Sequence, residues 1–475
     1  MEVLQRTANR GSISTGSYEI DNSLKFEAVN NESLQRAAVT GNRRTFTQSC
    51  WLKRTSPGLI QQFICYGSFH HATRNYISTD DKLYVEISGT PNEQYQTVTN
   101  RLFRDPAAWY HIVVAIDTTQ ATESNRLKIY VNGVQETSFA SENIPAQNFD
   151  TLANIASSPG AVFGNMGIGA FPNASLNNRT NGYLAEAINV DGQALDPTSF
   201  GEVDSDSGIW KPIDVSGLTF GANGYYLDFK DSSNLGNDAS GGTDWTETNI
   251  AAKDQSTDTP TNNFCTLNPN VNFKYTTNGI TEGGTTFGDN TGGGVGGAFG
   301  TMAVTAGKWY WEVKLIQQVA HYIGVSAIDD GDDVKATSDP QDVNSTFNFN
   351  ISAARIEYHN NGSKVNGSAD AFTDFHTAGD IMSIALNMDD NQISIYGNGT
   401  LQADVANTSL FDAANKMVVP FHATINDTVQ YNFGGYSAWT PSSAVSDAND
   451  YGTFEYAPPT GYYALCTKNL ALYGG

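Results

Sequence analysis

One stretch, residues 109–137, constrains the fold more than any other because it has the pattern of a β-hairpin. Its first arm, residues 109–117, is apolar on both faces, as in a strand at the centre of a sheet or between two layers. In its second arm, residues 127–133, apolar and polar side chains alternate, which is typical of a half-buried strand. That arm ends at Asn132 and Gly133, a pair that favours the positive backbone angles of a tight turn. This stretch therefore predicts two paired antiparallel strands.

The same pattern recurs in the second half of the chain. A largely apolar run, residues 380–388, is followed by a short acidic turn, an alternating run at residues 392–396 and a Gly-Asn-Gly turn at 397–399. The 45 glycines and an aromatic content of 11% are typical of many short strands joined by tight turns. The sequence therefore predicts an all-β chain with two antiparallel β-sandwiches in series.

Composition also predicts where these domains begin and end. Residues 1–17 are polar and form an N-terminal extension or attachment arm ahead of a first sandwich at residues 18–200. Residues 201–263 are rich in Asp, Ser, Gly and Thr, yet they contain tryptophans and a strand-like run, so we expect a partly ordered bridge packed on the sandwiches. Residues 264–475 form the second sandwich.

The first sandwich resembles the laminin-G and concanavalin A-like family. The motifs are Trp-Tyr-His-Ile-Val-Val-Ala-Ile-Asp at 109–117, Leu-Lys-Ile-Tyr-Val-Asn-Gly at 127–133, and Gly-Tyr-Leu-Ala-Glu-Ala at 182–187. The resemblance implies a concanavalin A-like jelly roll over residues 18–200.

The second sandwich resembles the SPRY domain. Its motifs occur in order: Gly-Lys-Trp-Tyr-Trp-Glu-Val at 307–313, Gly-Val at 324–325, Gly-Asp at 379–380, Tyr-Gly-Asn-Gly at 396–399, and Asn-Phe-Gly at 432–434. The resemblance implies a SPRY-like sandwich over residues 264–475.

The combination also resembles virion structural proteins of tailed bacteriophages. The residues concerned lie at 20–26, 226–229, 258–264, 267–269 and 459–470. The resemblance implies a place on the exposed surface of a phage particle, other virion proteins as partners, and a homo-oligomer. A trimer is expected by analogy with other appendage proteins.

Charge argues against two classes of partner. The formal net charge is −24 and the isoelectric point about 4.5, so a nucleic-acid backbone or an anionic membrane would be repelled. No apolar run approaches the roughly 20 residues that a membrane-spanning helix needs. We therefore expect no nucleic acid and no membrane insertion.

Concanavalin A-like sandwiches can also host glycoside hydrolysis, which requires two carboxylates facing each other across a cleft. Laminarinase-type relatives carry them as Glu-x-Asp-x-x-Glu, and no stretch here has that spacing. Glu186 and Asp191 come nearest, but their separation predicts opposite faces of a strand. We therefore predict no catalytic residues and no enzyme, while a depolymerase whose carboxylates come from different strands stays an alternative.

We also predict no cofactor and no metal site. The four cysteines lack Cys-x-x-Cys spacing. We expect Cys50 and Cys65 to be buried free thiols, with a disulfide between them as the less favoured alternative. The acidic stretch Asp329–Asp333 has the oxygen ligands that calcium prefers but lacks the EF-hand spacing, so a solvated turn is favoured.

Binding through sandwich loops remains the favoured function, because such loops form a variable surface on a rigid body. A sugar site needs an exposed, flat aromatic face beside hydrogen-bonding groups. We therefore predict a tail-fibre or appendage protein that binds host-surface glycan or receptor, with a purely structural capsid decoration or head-fibre protein as the alternative. The candidate ligand-binding residues are Tyr76, Asp80, Tyr358, His359, Asn360, Tyr436 and Trp439.

Overall fold

The computed structural model describes residues 18–68, 71–89, 93–156, 165–172, 179–273, 279–288, 295–317, 320–328, 355–359, 362–365, 368–370, 377–406, 417–425 and 428–474. These residues form two compact units, one within residues 14–261 and one within residues 262–475. We call them the first and the second unit.

The described residues of the first unit form eighteen strands, most of them in two antiparallel sheets. Sheet 1 has the order β10-β9-β8-β3-β13-β1-β18, with β16 also paired to β13, and sheet 2 has the order β11-β7-β6-β5-β4-β12-β2-β17. Strands β14 and β15 form a separate ribbon. The strands are β1 Ser23–Phe26, β2 Ser33–Ala37, β3 Thr45–Arg54, β4 Gln61–Ser68, β5 His71–Ile77, β6 Lys82–Ser88, β7 Gln94–Leu102, β8 Trp109–Asp117, β9 Leu127–Val131, β10 Val134–Gln135, β11 Phe139–Ser141, β12 Asn165–Ile168, β13 Gly182–Asp191, β14 Gly201–Val203, β15 Trp210–Pro212, β16 Tyr225–Leu227, β17 Thr246–Thr248 and β18 Gln255–Ser256.

The predicted hairpin forms one side of sheet 1. Strand β8 pairs with β3 and with β9. Both of its faces are apolar because Ile112, Val114 and Ile116 belong to the main core while Val113 belongs to a second buried cluster on the other side of the sheet. Asn132 and Gly133 have φ angles of 49° and 78°, so the tight turn between β9 and β10 is confirmed.

The main core of this unit lies between the two sheets. Side chains that point inward from alternate positions of each strand form it, since successive residues of a strand face opposite ways. Cys50 belongs to this core, and both Cys50 and Cys65 are buried free thiols. Its members include Phe26, Phe46, Phe63, Tyr66, Ile112, Val114, Ile116, Leu184, Tyr225 and Trp245.

The outer face of sheet 1 is covered by residues that follow β13. A second buried cluster joins strand residues such as Val113 and Ile188 to Phe200, Val215 and Phe220. Residues 201–261 also supply strands to both sheets, since β16 pairs with β13, β17 with β2 and β18 with β1. This part of the chain is therefore built into the first unit.

The second unit contains two further sheets, of order β19-β22-β31-β24-β25-β26-β27 and β20-β21-β32-β23-β28-β29-β30. Strand β33 pairs in parallel with β23. The elements are β19 Leu267–Phe273, β20 Ile280–Thr281, β21 Thr286–Gly288, β22 Val295–Gly300, β23 Lys308–Leu315, β24 Ala320–Ile328, β25 Arg355–His359, β26 Gly362–Val365, β27 Ser368–Asp370, β28 Ile381–Asn387, β29 Gln392–Gly397, β30 Thr400–Ala406, β31 Met417–Ile425, β32 Thr428–Asn432, β33 Tyr463–Ala464 and helix α1 Thr467–Tyr473.

Three aromatic side chains dominate the core of the second unit. Trp309 and Trp311 of β23 and Tyr431 of β32 are fully buried. The predicted hairpin at residues 380–399 corresponds to β28 and β29, which pair in antiparallel register. Across the described residues the chain is nearly all β, with a single α-helix, and the predicted fold class of antiparallel β-sandwiches is confirmed. In the part of the chain that the structure describes, no helix is long and apolar enough to cross a membrane.

Candidate functional site

Three neighbouring strands of sheet 2 place a set of polar and aromatic side chains on one face. Strands β5, β6 and β7 are antiparallel, and their register sets Arg74 opposite Glu86, Tyr76 opposite Tyr84, and Glu86 opposite Gln96. The residues between them on β5 and β6 include Ile77, Leu83, Val85 and Ile87, which belong to the core. The alternation of a strand therefore sends this set to the outer face. We call it the Glu86 face: Arg74, Tyr76, Tyr84, Glu86, Gln94 and Gln96.

Glu86 is the centre of the hydrogen-bond network on this face. The Arg74 guanidinium donates to both carboxylate oxygens, at 2.5 Å from Nε to Oε2 and 3.0 Å from Nη2 to Oε1. Oε1 also accepts from the Tyr76 hydroxyl at 2.7 Å and the Gln96 amide at 2.9 Å. The Gln94 amide lies 3.5 Å from Oε2. A bidentate pair of this kind fixes orientation as well as charge.

The aromatic rings of the face are stacked. The Arg74 guanidinium lies 4.2 Å from the centre of the Tyr76 ring and 4.9 Å from that of Phe171. The Tyr76 and Tyr84 rings are stacked with their centroids 5.1 Å apart. The Tyr84 hydroxyl donates to Asp80 Oδ2 at 3.2 Å. Tyr84 keeps part of its surface in solvent, and Asp80 is exposed.

The surroundings fix the protonation states of Arg74, Tyr76 and Tyr84 on the Glu86 face. Burial, reinforced by the charge of Glu86, raises the pKa of Tyr76, and burial together with Asp80 raises the pKa of Tyr84. Burial lowers the pKa of Arg74, but its hydrogen bonds and ion pair with Glu86 outweigh this, so the Arg74 pKa rises overall. The tyrosines therefore stay protonated and the guanidinium stays charged. Such groups suit binding rather than proton transfer.

Two of the residues singled out from the sequence lie here. Asp80 and Tyr76 are joined through Tyr84, which contacts both. The Tyr76 ring, expected to be exposed, retains only 6% of its surface because it lies between Arg74 and Tyr84. The ring that offers exposed surface at this place is that of Tyr84.

The other candidates lie in the second unit. Tyr436 is 6% exposed and donates a hydrogen bond to Glu282 Oε2 at 3.0 Å. Trp439 is 8% exposed, and the Lys314 ammonium lies 5.8 Å from its ring centre. Both rings were expected to be exposed but are buried.

Tyr358 and His359 are the last residues of β25, where Tyr358 pairs with Ile323 of β24 and His359 with Gly362 of β26. Asn360 and the acidic stretch Asp329–Asp333 lie outside the described residues.

Sequence reasoning missed five members of the Glu86 face: Arg74, Tyr84, Glu86, Gln94 and Gln96. A signal was available, because polar or aromatic residues stand at positions 74 and 76, again at 84 and 86, and again at 94 and 96. That spacing is what three short antiparallel strands require if they show the same face.

A buried serine–histidine pair elsewhere in the unit is structural. Ser49 Oγ lies 2.8 Å from His111 Nε2, and the Trp210 indole N–H donates to His111 Nδ1 at 2.9 Å. Nδ1 therefore accepts, so Nε2 carries the proton and donates to the serine oxygen. Burial also lowers the His111 pKa to about 3. The histidine cannot take a proton from Ser49, and its ring instead stacks 4.5 Å from Trp51.

The two carboxylates considered for glycoside hydrolysis both accept hydrogen bonds from other parts of the chain. Glu186 accepts hydrogen bonds from the Tyr18 hydroxyl at 2.7 Å and the Tyr226 hydroxyl at 3.0 Å. Asp191 accepts from the backbone amides of Asn42 and Asn223. Each carboxylate holds a different part of the chain in place.

Comparisons with solved structures find neighbours of low similarity. The SPRY domain of human HERC1 is 19% identical with a TM-score of 0.26, covering 35% of this chain and 96% of its own. A candidate carbohydrate-binding protein from Bacteroides ovatus is 17% identical with a TM-score of 0.34, covering 49% and 59%. A heptameric SAP-like pentraxin from Limulus polyphemus is 14% identical with a TM-score of 0.27, covering 38% and 80%.

A search of curated proteins finds no match. The comparison with protein families is more specific than that with solved structures. One family matches the part of the first unit that carries β2–β11 and most of β12. That stretch includes the Glu86 face. Residues 28–167 thus match the concanavalin A-like lectin/glucanases superfamily.

Proposed function

We propose that this protein binds carbohydrate through the Glu86 face of its first sandwich and is not an enzyme. The observation that carries the proposal is the combination of the partly exposed, stacked Tyr84 ring with the Gln94 and Gln96 amides on the same face. A sugar ring requires a flat apolar surface, and its hydroxyl groups require nearby donors and acceptors.

The network behind this surface prepares it for binding. Because Glu86 holds the Gln94 and Gln96 amides and the Tyr76 hydroxyl, few rotamers are left to freeze when a ligand arrives. The groups also stand on strands rather than on loops, which positions them more rigidly. The superfamily match over residues 28–167 supports a lectin-like use of this sandwich.

Absence of catalysis is part of the proposal. The Glu86 oxygens accept from an arginine, a tyrosine and two glutamines, and Asp80 accepts from Tyr84 and lies 3.7 Å from the Lys82 ammonium. A glycosidase needs one carboxyl that delivers a proton and a second that acts from the opposite side. Carboxylates engaged in this way are suited to holding a surface rigid.

We also propose a bacteriophage virion as the place of action, with the protein as a tail-fibre or appendage component. The ligand is then a host-surface glycan or receptor, and the partners are other virion proteins and further copies of this chain, in a trimer. This proposal rests on the sequence resemblance of residues 20–26, 226–229 and 459–470 to phage virion proteins.

The binding proposal is tested on an array of bacterial surface polysaccharides with the purified full chain. We expect Tyr84→Ala to weaken binding at least tenfold because it removes the stacking ring, whereas Tyr84→Phe retains most of it. Gln94→Ala should also weaken binding. Gln135→Ala is the matched control, since Gln135 is an exposed strand glutamine of sheet 1. Binding that survives Tyr84→Ala, or no binding to any polysaccharide, would reject this site.

Location is tested separately by gold labelling of intact particles with an antibody to the protein. Gold at the tips of appendages supports receptor contact. An even coat over the capsid would instead favour a structural decoration protein, and unlabelled particles would contradict the virion proposal.

A further inference from the structure

A fully buried lysine in the first unit lies between two carboxylates. Lys25 Nζ is 2.9 Å from Glu32 Oε1 and 2.9 Å from Asp254 Oδ1. The exposed fractions of the three side chains are 0%, 1% and 1%. Charged groups without solvent are rare in proteins and need a specific explanation.

Backbone pairing brings the lysine and the aspartate together. Strands β1 and β18 pair in antiparallel register, with Ser23 opposite Ser256 and Leu24 opposite Gln255. The next position of that register sets Lys25 opposite Asp254, the last residue of a 3₁₀ turn. The Ala251 amide donates to Asp254 Oδ2 at 2.9 Å, so the carboxyl is oriented with Oδ1 toward the lysine.

Glu32 is held as firmly as its partners. The Glu27 amide donates to Oε2 at 2.6 Å, and the Asn30 side-chain amide donates to Oε1 at 3.0 Å. One ammonium group thus faces two carboxyl groups, which leaves an unbalanced negative charge if all three are ionised. Burial raises the pKa of Glu32, outweighing the opposite effect of Lys25, so the Glu32 carboxylate is a stronger base than an exposed glutamate.

We propose that Lys25 and Asp254 join in an intramolecular amide bond, with Glu32 as the residue that moves the proton. Glu32 takes a proton from the Lys25 ammonium, and the neutral amine attacks Cγ of Asp254. The new Nζ–Cγ bond replaces one Cγ–O bond, and the departing oxygen leaves as water with two of the former ammonium protons. The net change converts one ammonium and one carboxylate into one amide and one water molecule, so no oxidant or co-reactant is needed.

The surroundings favour this condensation. The fold holds the reacting groups in contact, which replaces a bimolecular encounter by an intramolecular one. The amide has no charge, so the reaction removes two buried charges whose desolvation is costly. The closed site also keeps bulk water away from the product.

A second buried pair on the same sheet provides a control. Lys53 Nζ lies 2.6 Å from Asp258 Oδ2, and the Trp109 indole N–H donates to the other oxygen at 3.0 Å. Both lysines flank Tyr183, which pairs with Lys25 of β1 and Lys53 of β3. Asp258→Asn therefore alters a neighbouring buried lysine–aspartate pair without touching the proposed bond.

Mass spectrometry of the full chain tests the proposal. We expect the intact protein to be lighter than its sequence by one water molecule, and a tryptic digest to contain residues 11–36 joined to residues 254–274. The joined peptide also distinguishes this reaction from loss of water at an Asp-Gly sequence. That reaction gives the same change in mass but does not join the two peptides. Wild-type protein with full mass and separate peptides would overturn the proposal.

Variants test the roles of the residues. Lys25→Arg and Glu32→Gln should have the full mass, and Asp258→Asn should keep the loss of water. Glu32→Gln preserves the size and a hydrogen-bonding carbonyl, so circular dichroism should show an intact sheet. Formation of the bond in Glu32→Gln at the wild-type rate would reject the role of Glu32.

Discussion

Glu186 and Glu312 each occupy a central strand of their unit and are buried. Glu186 accepts from two tyrosine hydroxyls, and Glu312 accepts from the backbone amides of Glu455 and Tyr456 at 2.9 and 2.8 Å. Burial raises the pKa of each to about 7, despite the lowering effect of these donors. In both units a buried carboxyl thus holds a distant part of the chain against a sheet.

Glu186 also has an unusual backbone. Its φ is 46°, in the left-handed region that non-glycine residues seldom adopt, and it lies where the pairing of β13 with β3 shifts register. The shift is a β-bulge, which re-aims a side chain within a continuous strand. We infer that the bulge is what turns the Glu186 carboxyl toward Tyr18 and Tyr226.

The raised pKa predicts a pH dependence of stability. Between the unfolded value of 4.5 and the folded value of about 7, the native state keeps a proton on Glu186 that the unfolded chain has released. The contribution of Glu186 to the free energy of unfolding should therefore be largest below pH 4.5 and decrease as pH rises to about 7. In Glu186→Gln, which cannot ionise, this decrease is missing.

Urea unfolding at pH 5 and pH 8 measures the effect. We expect Glu186→Gln to gain stability relative to wild type between these values, by an amount on the order of 2 kcal/mol. The contributions of titratable groups that both proteins share cancel when the two free energies of unfolding are subtracted. An equal difference between variant and wild type at both pH values would show that Glu186 does not titrate in this range.

Among the elements, the hairpin β8–β9–β10 could be predicted from local pattern, whereas for the Glu86 face the spacing indicates candidate residues but not which of them meet. The hairpin depends on local information: the alternation of side chains and the Asn132–Gly133 turn. The Glu86 face depends on the register of β5, β6 and β7. In the pairing of β6 with β7, that register shifts at an irregularity between Lys82 and Tyr84. A shift of one residue exchanges the two faces of a strand, so spacing alone cannot decide which side chains meet.

The turn of the hairpin has a second role that a pattern does not reveal. A Cβ added at Gly133 would lie 2.3 Å from the Trp210 ring, and Gly58 offers a contrast because it has a similar φ, 80° against 78°, with open space around it. The Trp210 indole N–H in turn donates a hydrogen bond to His111 Nδ1 and so orients the imidazole ring. Gly133 therefore serves both the turn and the packing of the segment that covers sheet 1.

We expect Gly58→Ala to cost about 1–2 kcal/mol, the penalty of a left-handed backbone alone. Gly133→Ala should cost about 1–3 kcal/mol more, since the Trp210 ring must move. Chemical denaturation of the two variants measures the difference. Equal costs would mean that the indole shifts freely.

At the scale of the whole molecule, the proposed amide bond would change how the chain carries force. It joins β1, near the start of the first unit, to Asp254, shortly before the second unit begins. A pull on the two ends would then pass from residue 25 to residue 254 without loading residues 26–253. In the chain-entropy view, closing so long a loop also stabilises the fold by on the order of 5 kcal/mol.

Single-molecule pulling from the two termini separates the bonded and unbonded forms. In wild-type protein, residues 26–253 should never extend, because the bond lies between them and the applied force. In Glu32→Gln they should extend by about 800 Å when the first unit unfolds, given the reach of an extended chain. Asp258→Asn should behave as wild type in extension, even if it unfolds at lower force. If wild-type protein releases the full length, the load passes through the sandwich itself, and its resistance rests on the shear of β1 between β13 and β18.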